Sequence, residues 1–174
     1  IYAVELQPQL AELAAANVKQ SRLADRIDVL CVDLKLLNLK MTAGPLDLIV
    51  CNPPYRRPGS GRLNPNSQRA VARHEIKTNL GDVLQTAHRM LRTAGRLAAI
   101  YPAERTTDVL TQMRKERIEP KLIRMVHSHP HAEARLILVE GAKGGRPGLK
   151  VAPALCIYDQ NGEYTAEVQS MFAP

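Results

Sequence analysis

The chain has 174 residues, 45% of them hydrophobic, and a formal charge of +7, enough to bury one sizeable core in a single domain. No apolar run approaches the roughly eighteen residues of a membrane span and no cleavable signal pattern is present, so the expectation is a soluble, cytoplasmic protein. Cys31, Cys51 and Cys156 lie in or beside apolar stretches, which favours reduced buried thiols and argues against a disulfide frame, a zinc cluster or redox chemistry.

Residues 1–4 form an apolar run ending at Glu5, and after Pro8 the positions Leu10, Leu13, Ala14 and Val18 follow helical spacing. That pattern predicts strand, turn and helix, with proline tolerated in the first helical turn. Residues 27–32 predict a second strand ending at Asp33. Leu46–Cys51 predicts a third, preceded by Gly44 and Pro45 and stopped by Asn52. Residues 56–69 are rich in Gly, Pro, Ser, Asn and Arg and read as a mobile loop. A helix through Leu80, Val83, Leu84, Ala87 and Leu91 follows, stopped by Gly95. Residues 97–101 predict a strand that Pro102 ends, then comes a helix over about 106–117 and strands over 122–126 and 135–139. After a glycine-rich turn, two strand-like stretches at 155–158 and 164–168 flank a turn at 159–162.

Alternating strands and helices imply an α/β sheet, mostly parallel, with helices on both faces. Closely spaced strands near the C-terminus with no helix between them imply that one runs antiparallel. In open α/β sheets the ligand crevice lies beyond the carboxyl ends of the strands, so Glu5, Asp33 and Asn52 are expected to face it.

The positive charge is concentrated. Residues 56–96 hold nine Lys or Arg against Glu75 and Asp82, and the rest of the chain carries fifteen of each sign. A concentrated field beside a candidate site suggests an anionic partner, nucleic acid first. A solvated helix face that happens to be basic accounts for part of it.

Glu5, at a strand end, suits acceptance of hydrogen bonds from ribose hydroxyls; an ordinary charge at the start of a helix explains it equally well. Asp33 could accept from an adenine amino group or simply cap residues 34–40. The stretch DLIVCNPPY at 47–55 is sharper. Pro53 and Pro54 fix their backbone angles, lack N–H donors and bias Asn52 away from helix geometry, so carbonyls at the corner stay free as acceptors. The Asn52 amide, the Pro53 carbonyl and the Tyr55 ring together suit a planar molecule bearing an amino group. Proline as mere strand punctuation leaves the asparagine and tyrosine unexplained.

Those residues, with IYAVELQPQLAELAAANV, ARHE at 72–75, GRLAAIYPAERTTDVL, RIEPKLIRMVH and the C-terminal LILVEGAKGGRPGLKVAPALCIYDQNGEYTAEV, resemble the bacterial tRNA valine adenine-N6-methyltransferases, among the class I methyltransferases that use S-adenosylmethionine. The corner alone is shared with DNA adenine, ribosomal RNA and protein-glutamine methyltransferases; the downstream pieces narrow it. The resemblance implies a Rossmann-like fold, S-adenosylmethionine as cofactor and tRNA as partner, with no membrane and no obligate protein partner. By that resemblance Glu5 matches the residue that binds the cofactor's ribose and Asp33 the one that contacts its adenine, with Leu6, Leu34 and Asn52 also in the cofactor-binding set. Asn52, Pro53 and Tyr55 match the catalytic clamp, and Tyr55 also belongs to the substrate-binding set. Pro54, Arg56, Arg57, Arg73 and His74 fall in the substrate-binding region. The family's first strand and glycine-rich loop should precede Ile1, between the strands ending at Glu5 and Asn52. The expectation is therefore one catalytic domain over residues 1–174, N-terminally incomplete, with the activity of the polypeptide as given left open.

Other candidates are weaker. Arg56, Arg57, Arg62, Arg69, Arg73 and Lys77 could contact phosphates or pair with acids in the sheet. His74 and Glu75 could form an acid-base pair, with a role in ordering the segment favoured. His127, His129 and His131 have alternating spacing but no fourth ligand pattern, so a turn role is preferred to metal. GAKGGRPGLK at 141–150 lacks the ending of a phosphate loop. It reads as a flexible basic hairpin contacting RNA, or as a connection that only needs glycine torsions. Ribosomal RNA or protein-glutamine methylation, and a non-catalytic RNA-binding module, are the competing functions.

Overall fold

The computed structural model describes residues 1–53 and 79–173. Pro54, Tyr55, Arg56, Arg57, Arg62, Arg69, Arg73, His74, Glu75 and Lys77 lie outside the described residues, and so does the predicted loop at 56–69.

The first unit is a strand, a helix and a strand. β1 (Tyr2–Glu5) pairs in parallel with β2 (Asp28–Cys31), Tyr2 opposite Asp28 and Glu5 opposite Cys31. Between them runs α1 (Pro8–Gln20), with proline in its first turn as expected. Its predicted apolar face is only half used: Ala11 is buried, while Leu10 and Leu13 are exposed. Cys31 is exposed as well, correcting the expectation of a buried thiol, whereas Cys51 and Cys156 are half-buried; all three are free.

The larger sheet has the order β3-β4-β6-β5-β7, with β8 also on β5. It comprises β3 (Leu46–Cys51), β4 (Leu91–Pro102), β5 (Ile118–His127), β6 (Ala134–Lys143), β7 (Lys150–Val151) and β8 (Leu155–Cys156). β3 runs parallel to β4, and β6 is antiparallel to both β4 and β5. The antiparallel strand expected near the C-terminus is thus β6, and β7 and β8 run parallel to β5. Because β3, β4, β5 and β8 share one direction, Asn52, Pro102, His127 and Ile157 come out at one edge of the sheet.

The core gathers α2 (Leu80–Met90) and α3 (Thr106–Lys115) against this sheet. Leu84, Met90, Leu91, Leu97, Tyr101, Val109, Met113, Ile118 and Ile137 are fully buried. A reciprocal cap starts α2: the Asn79 side chain accepts from the Asp82 N–H, and the Asp82 carboxylate accepts from the Asn79 N–H. Gly141 sits where β6 crosses this core. A Cβ there would meet the Met113 methyl and come within 2.8 Å of the Ile118 Cγ2.

Several predicted boundaries move. α2 stops at Met90, because Leu91 is extended (φ −71°, ψ 142°) and pairs with Leu46. α3 stops at Lys115, with Arg117 at φ 57° starting the turn into β5. The stretch predicted as a strand at 164–168 holds a single bridge, Tyr158 to Tyr164, followed by the short helix α4 (Ala166–Ser170). Thr165 caps that helix and also donates its hydroxyl to the Cys156 carbonyl at 2.8 Å, a tertiary tether that outweighs strand alternation. The glycine-rich run at 141–150 leaves β6 at the edge opposite Asn52. Gly144 and Gly148 there take φ of 66° and 135°. Glycine torsions explain the run, and its position does not favour the expected RNA hairpin.

Candidate active site

β1 has only β2 as a partner and β3 only β4 among the described residues. Between the two open strand edges lies a cleft of about 1110 Å³. Its walls include Tyr2, Val4, Glu5 and Leu6 on one side and Leu46 through Pro53 on the other, with Val83, Thr86 and Ala87 of α2 also lining it. A polar tie joins β1 to the loop before β3: the Ala43 N–H donates to the Tyr2 hydroxyl at 2.8 Å. Apolar side chains of β3 stand open, with Leu48 54% and Val50 74% exposed.

The sequence-predicted residues converge in part. Asn52 and Pro53 end β3 at the cleft, Pro53 buried and Asn52 exposed. The Asn52 side-chain amide hydrogen-bonds to no described residue. Glu5 and Leu6 line the opposite wall. One Glu5 oxygen accepts from the Gln7 N–H at 2.8 Å, so the carboxylate holds the turn into α1. Gln7, not Glu5, is the cap of α1.

Asp33 behaves differently. Val32 and Leu34 line the cleft, but Asp33 is not among its walls. Its Oδ1 accepts from the Lys35 N–H at 2.9 Å, and its Oδ2 lies 3.6 Å from the Lys35 ammonium. It caps the 3₁₀ turn Leu34–Leu36, the second of its two expected roles.

Two residues that sequence reasoning missed hold that turn. The Thr86 hydroxyl, buried on α2, donates to the Leu34 carbonyl at 3.2 Å. Arg89, one helical turn on, donates Nε to the Leu37 carbonyl at 3.0 Å, and Nη2 to the Lys35 carbonyl at 3.1 Å and the Leu34 carbonyl at 3.4 Å. Nη2 also lies 3.1 Å from the Thr86 hydroxyl. The guanidinium thereby gathers the carbonyls of a turn more than fifty residues away and joins the first strand unit to the core helix. The only signal in the sequence was a threonine and an arginine three apart near a helix end.

The basic segment is partly spent on structure. Of its described members, Arg89 serves this turn, Arg92 pairs with Asp47, and Arg96 pairs with Glu140 at 3.0 Å. Cys51, at the cleft wall, has its thiol pushed up to about 11 by burial, so it is protonated at neutral pH. Among the described residues no group of His, Cys, Asp and Glu is placed to hold a metal. His127 donates Nδ1–H to the Ala132 carbonyl at 2.6 Å, and the His129 ring meets Tyr158.

Known proteins match this arrangement at several levels. A tRNA1(Val) (adenine(37)-N6)-methyltransferase of Porphyromonas gingivalis is 34% identical over 142 residues, covering 80% of this chain and 55% of that protein. The protein of the same description from Photobacterium profundum is 27% identical over 168 residues, covering 96% and 68%. The chain thus spans about half the length of the first of these relatives. Among solved structures, a protein of Agrobacterium tumefaciens described as a predicted O-methyltransferase superposes with a TM-score of 0.74 at 20% identity, covering 98% of this chain and 75% of the other. A TehB-like SAM-dependent methyltransferase from Corynebacterium glutamicum gives 0.51 at 17% identity, covering 82% and 67%. Both share the Rossmann-like fold of class I methyltransferases. The model of the UPF0020 family, RMKL-like methyltransferase domains, matches residues 1–133, and the chain belongs to that family.

Proposed function

We propose that this chain is the catalytic part of an S-adenosylmethionine-dependent enzyme that methylates the exocyclic N6 of adenine in tRNA, in the cytoplasm. The observation that carries it is the Asn52–Pro53 corner, which sets an amide and a carbonyl side by side in the wall of a cleft whose other wall presents Glu5. The relatives described as tRNA adenine-N6-methyltransferases support the substrate class.

The strand-end residues at the cleft fit such a cofactor in donor chemistry. The cleft's volume of about 1110 Å³ exceeds the upper end of ordinary small-molecule sites, roughly 1,000 Å³, which leaves space for a strand beside a ligand. The Glu5 carboxylate would accept from the ribose hydroxyls, and Leu6 and Leu34 would flank the nucleoside. The cofactor, when bound, supplies an electrophilic methyl on sulfonium sulfur. Asn52 Oδ1 and the Pro53 carbonyl would accept the two amino hydrogens of the target base. These bonds draw the nitrogen toward a tetrahedral form and free the lone pair otherwise delocalised into the ring. Tyr55 would stack on the base, and Pro54, Arg56, Arg57, Arg73 and His74 would contact the RNA around it. Orientation and preorganised polarity then carry the rate. A dedicated base is unnecessary if the proton leaves after methyl transfer.

On this reading the domain over residues 1–174 is N-terminally incomplete, and one further strand enters between β1 and β3. Two strand edges open among the described residues face the cleft, and covering the remaining surface of side chains such as Leu48 and Val50 contributes about 1–2 kcal/mol each. A polypeptide extended by the upstream coding region should melt higher and bind the cofactor; no gain in either sinks this part of the reading.

The activity test uses that extended protein, labelled cofactor and unmodified tRNA, followed by nucleoside analysis. Labelled N6-methyladenosine is expected. Label in ribosomal RNA or in protein glutamine instead, or RNA binding without transfer, would replace it with the corresponding alternative. Asn52→Ala should reduce turnover about 100-fold or more while RNA affinity stays close to wild type. Equal loss of both, with the fold retained, contradicts the role given to the amide.

A further inference from the structure

The chain has only six Tyr and Phe residues, yet three of them, with one histidine, form a continuous row. His129 meets Tyr158 with ring centroids 5.5 Å apart, Tyr158 stacks on Tyr164 at 5.2 Å and 13°, and Tyr164 meets Phe172 at 5.8 Å. These separations fall in the range of favourable ring pairs. The row is not core. Tyr164 is 44% and Phe172 73% exposed, and the neighbouring Met171 is exposed too.

Its place in the sheet follows from strand direction. β5 ends at His127 and β8 at Cys156, both parallel to β3, and the Tyr158 N–H donates to the Ser128 carbonyl just beyond β5. The row therefore stands at the edge where Asn52 emerges. The order β3-β4-β6-β5, with β8 next, sets it about 14–19 Å along that edge from the corner.

The rings are held in advance by polar bonds. The Asp159 carboxylate accepts from the N–H groups of Asn161 at 2.8 Å and Glu163 at 3.0 Å, which sets the turn between Tyr158 and Tyr164. Gln169 donates its side-chain amide to the Tyr164 carbonyl at 2.8 Å. The Arg124 guanidinium pins α4 through both oxygens of Glu167, at 2.6 and 2.7 Å. The row is braced by these bonds, is most exposed at Phe172 and combines aromatic rings with hydroxyl and imidazole groups. That combination suits a nucleobase better than an aliphatic protein side chain. Stacking on aromatic side chains is also indifferent to base identity, since every base has a π-face.

We propose that the His129–Tyr158–Tyr164–Phe172 row is a stacking site for unpaired nucleobases flanking the reacting adenine. The proposal rests on the reading of RNA as substrate. The row would hold the neighbouring single strand while Asn52 holds the target, so the RNA is gripped at two points on one sheet edge.

The test compares Phe172→Leu, which keeps an apolar side chain but loses the ring, with Phe172→Trp, which keeps one. Binding of a fluorescein-labelled single-stranded RNA octamer and of unmodified tRNA is followed by anisotropy at several salt concentrations, using the extended protein. Phe172→Leu should weaken both by roughly tenfold, and Phe172→Trp should restore affinity. The slope of log affinity against log salt should stay unchanged, because stacking releases no counterions. An octamer carrying 5-iodouridine should crosslink to the peptide containing Tyr164 or Phe172. Unchanged affinity in Phe172→Leu, a changed salt slope, or crosslinks confined to other peptides would each overturn the proposal. Methylation of tRNA by the unsubstituted protein is measured in parallel. Its absence beside an intact octamer effect would count against the substrate assignment alone, and its presence beside a null Phe172→Leu would count against the row alone.

Discussion

Replacing Arg89 by Met should loosen the turn that sets Leu34 and Leu37 in the cleft wall without disturbing the core helix on which Arg89 sits. The methionine keeps most of the aliphatic stem and helix propensity, so the loss falls on the guanidinium. It now serves the carbonyls of Leu34, Lys35 and Leu37 at 3.4, 3.1 and 3.0 Å. The Leu34 carbonyl retains the Thr86 hydroxyl, and water can reach the carbonyl of exposed Lys35. Leu37 is buried, and its carbonyl is the acceptor with least recourse. A hydrogen bond to a charged group contributes about 1.5–3 kcal/mol; with solvent replacing part of the set, the net loss is about 2 kcal/mol, or ~4–8 °C in Tm for a domain of this size. Lysine can serve one carbonyl but not fork across several, so Arg89→Lys should lose about half as much. Urea denaturation with Thr86→Val, Arg89→Met and the double variant measures the coupling, which should be non-additive because the residues share Leu34. In the methylation assay Arg89→Met should raise KM for the cofactor more than it lowers kcat. Full stability in Arg89→Met, or a fall in kcat with KM unchanged, would refute the role assigned to the turn.

Three further outcomes follow. Gly141→Ala sets a methyl against Met113 and within 2.8 Å of the Ile118 Cγ2; overpacking of this kind costs about 2 kcal/mol, or ~4–8 °C, and a melting temperature equal to wild type would contradict the close crossing. Cys51, with its thiol at about 11, should react with a thiol reagent at pH 8 roughly 100-fold more slowly than an ordinary thiol, while exposed Cys31 reacts first; mass-spectrometric mapping of the labelled peptides decides it. Arg124 holds Glu167 below its usual value of 4.5, so the pair's contribution is present above that value and disappears as pH falls through the lowered one. Near-ultraviolet circular dichroism of the Tyr158–Tyr164 stack should then change below about pH 4.5 in the wild type. Glu167→Gln should show the altered signal at neutral pH already.

The legible parts of the chain were those whose ends are set locally. β3 has the predicted bounds because Gly44 and Pro45 break the chain before it and the Asn52–Pro53 pair after it. α2 shows the opposite case. Leu91 continues the helical spacing of Leu80, Leu84 and Ala87, but pairing with Leu46 turns it into a strand, a tertiary contact invisible to periodicity. Tyr164, Ala166 and Val168 alternate like a strand, yet the Thr165 cap and the grip of Arg124 on Glu167 make a helix of the last two. The position of Asn52 and Pro53 at the end of β3 was readable because an amide followed by proline stops a strand. The Thr86–Arg89 latch was not, because an arginine on a helix surface gives no sign of which carbonyls it will meet.

Charge density is a poor guide to where RNA would lie until each cation is traced. Arg89, Arg92 and Arg96 all belong to the basic run, and each is committed to a carbonyl set or a carboxylate. A pair such as Arg96–Glu140 is largely solvated and holds little energy, but it cancels the local field that a phosphate would sense. Phosphate attraction would then have to come from other cations, among them those at 56–77 that follow the corner in sequence. An aromatic row at the same edge would supply grip of another kind, one that salt does not screen. Association would therefore divide into a salt-sensitive part near the corner and a salt-insensitive part at the row. Titrating salt against the Phe172 variants separates the two.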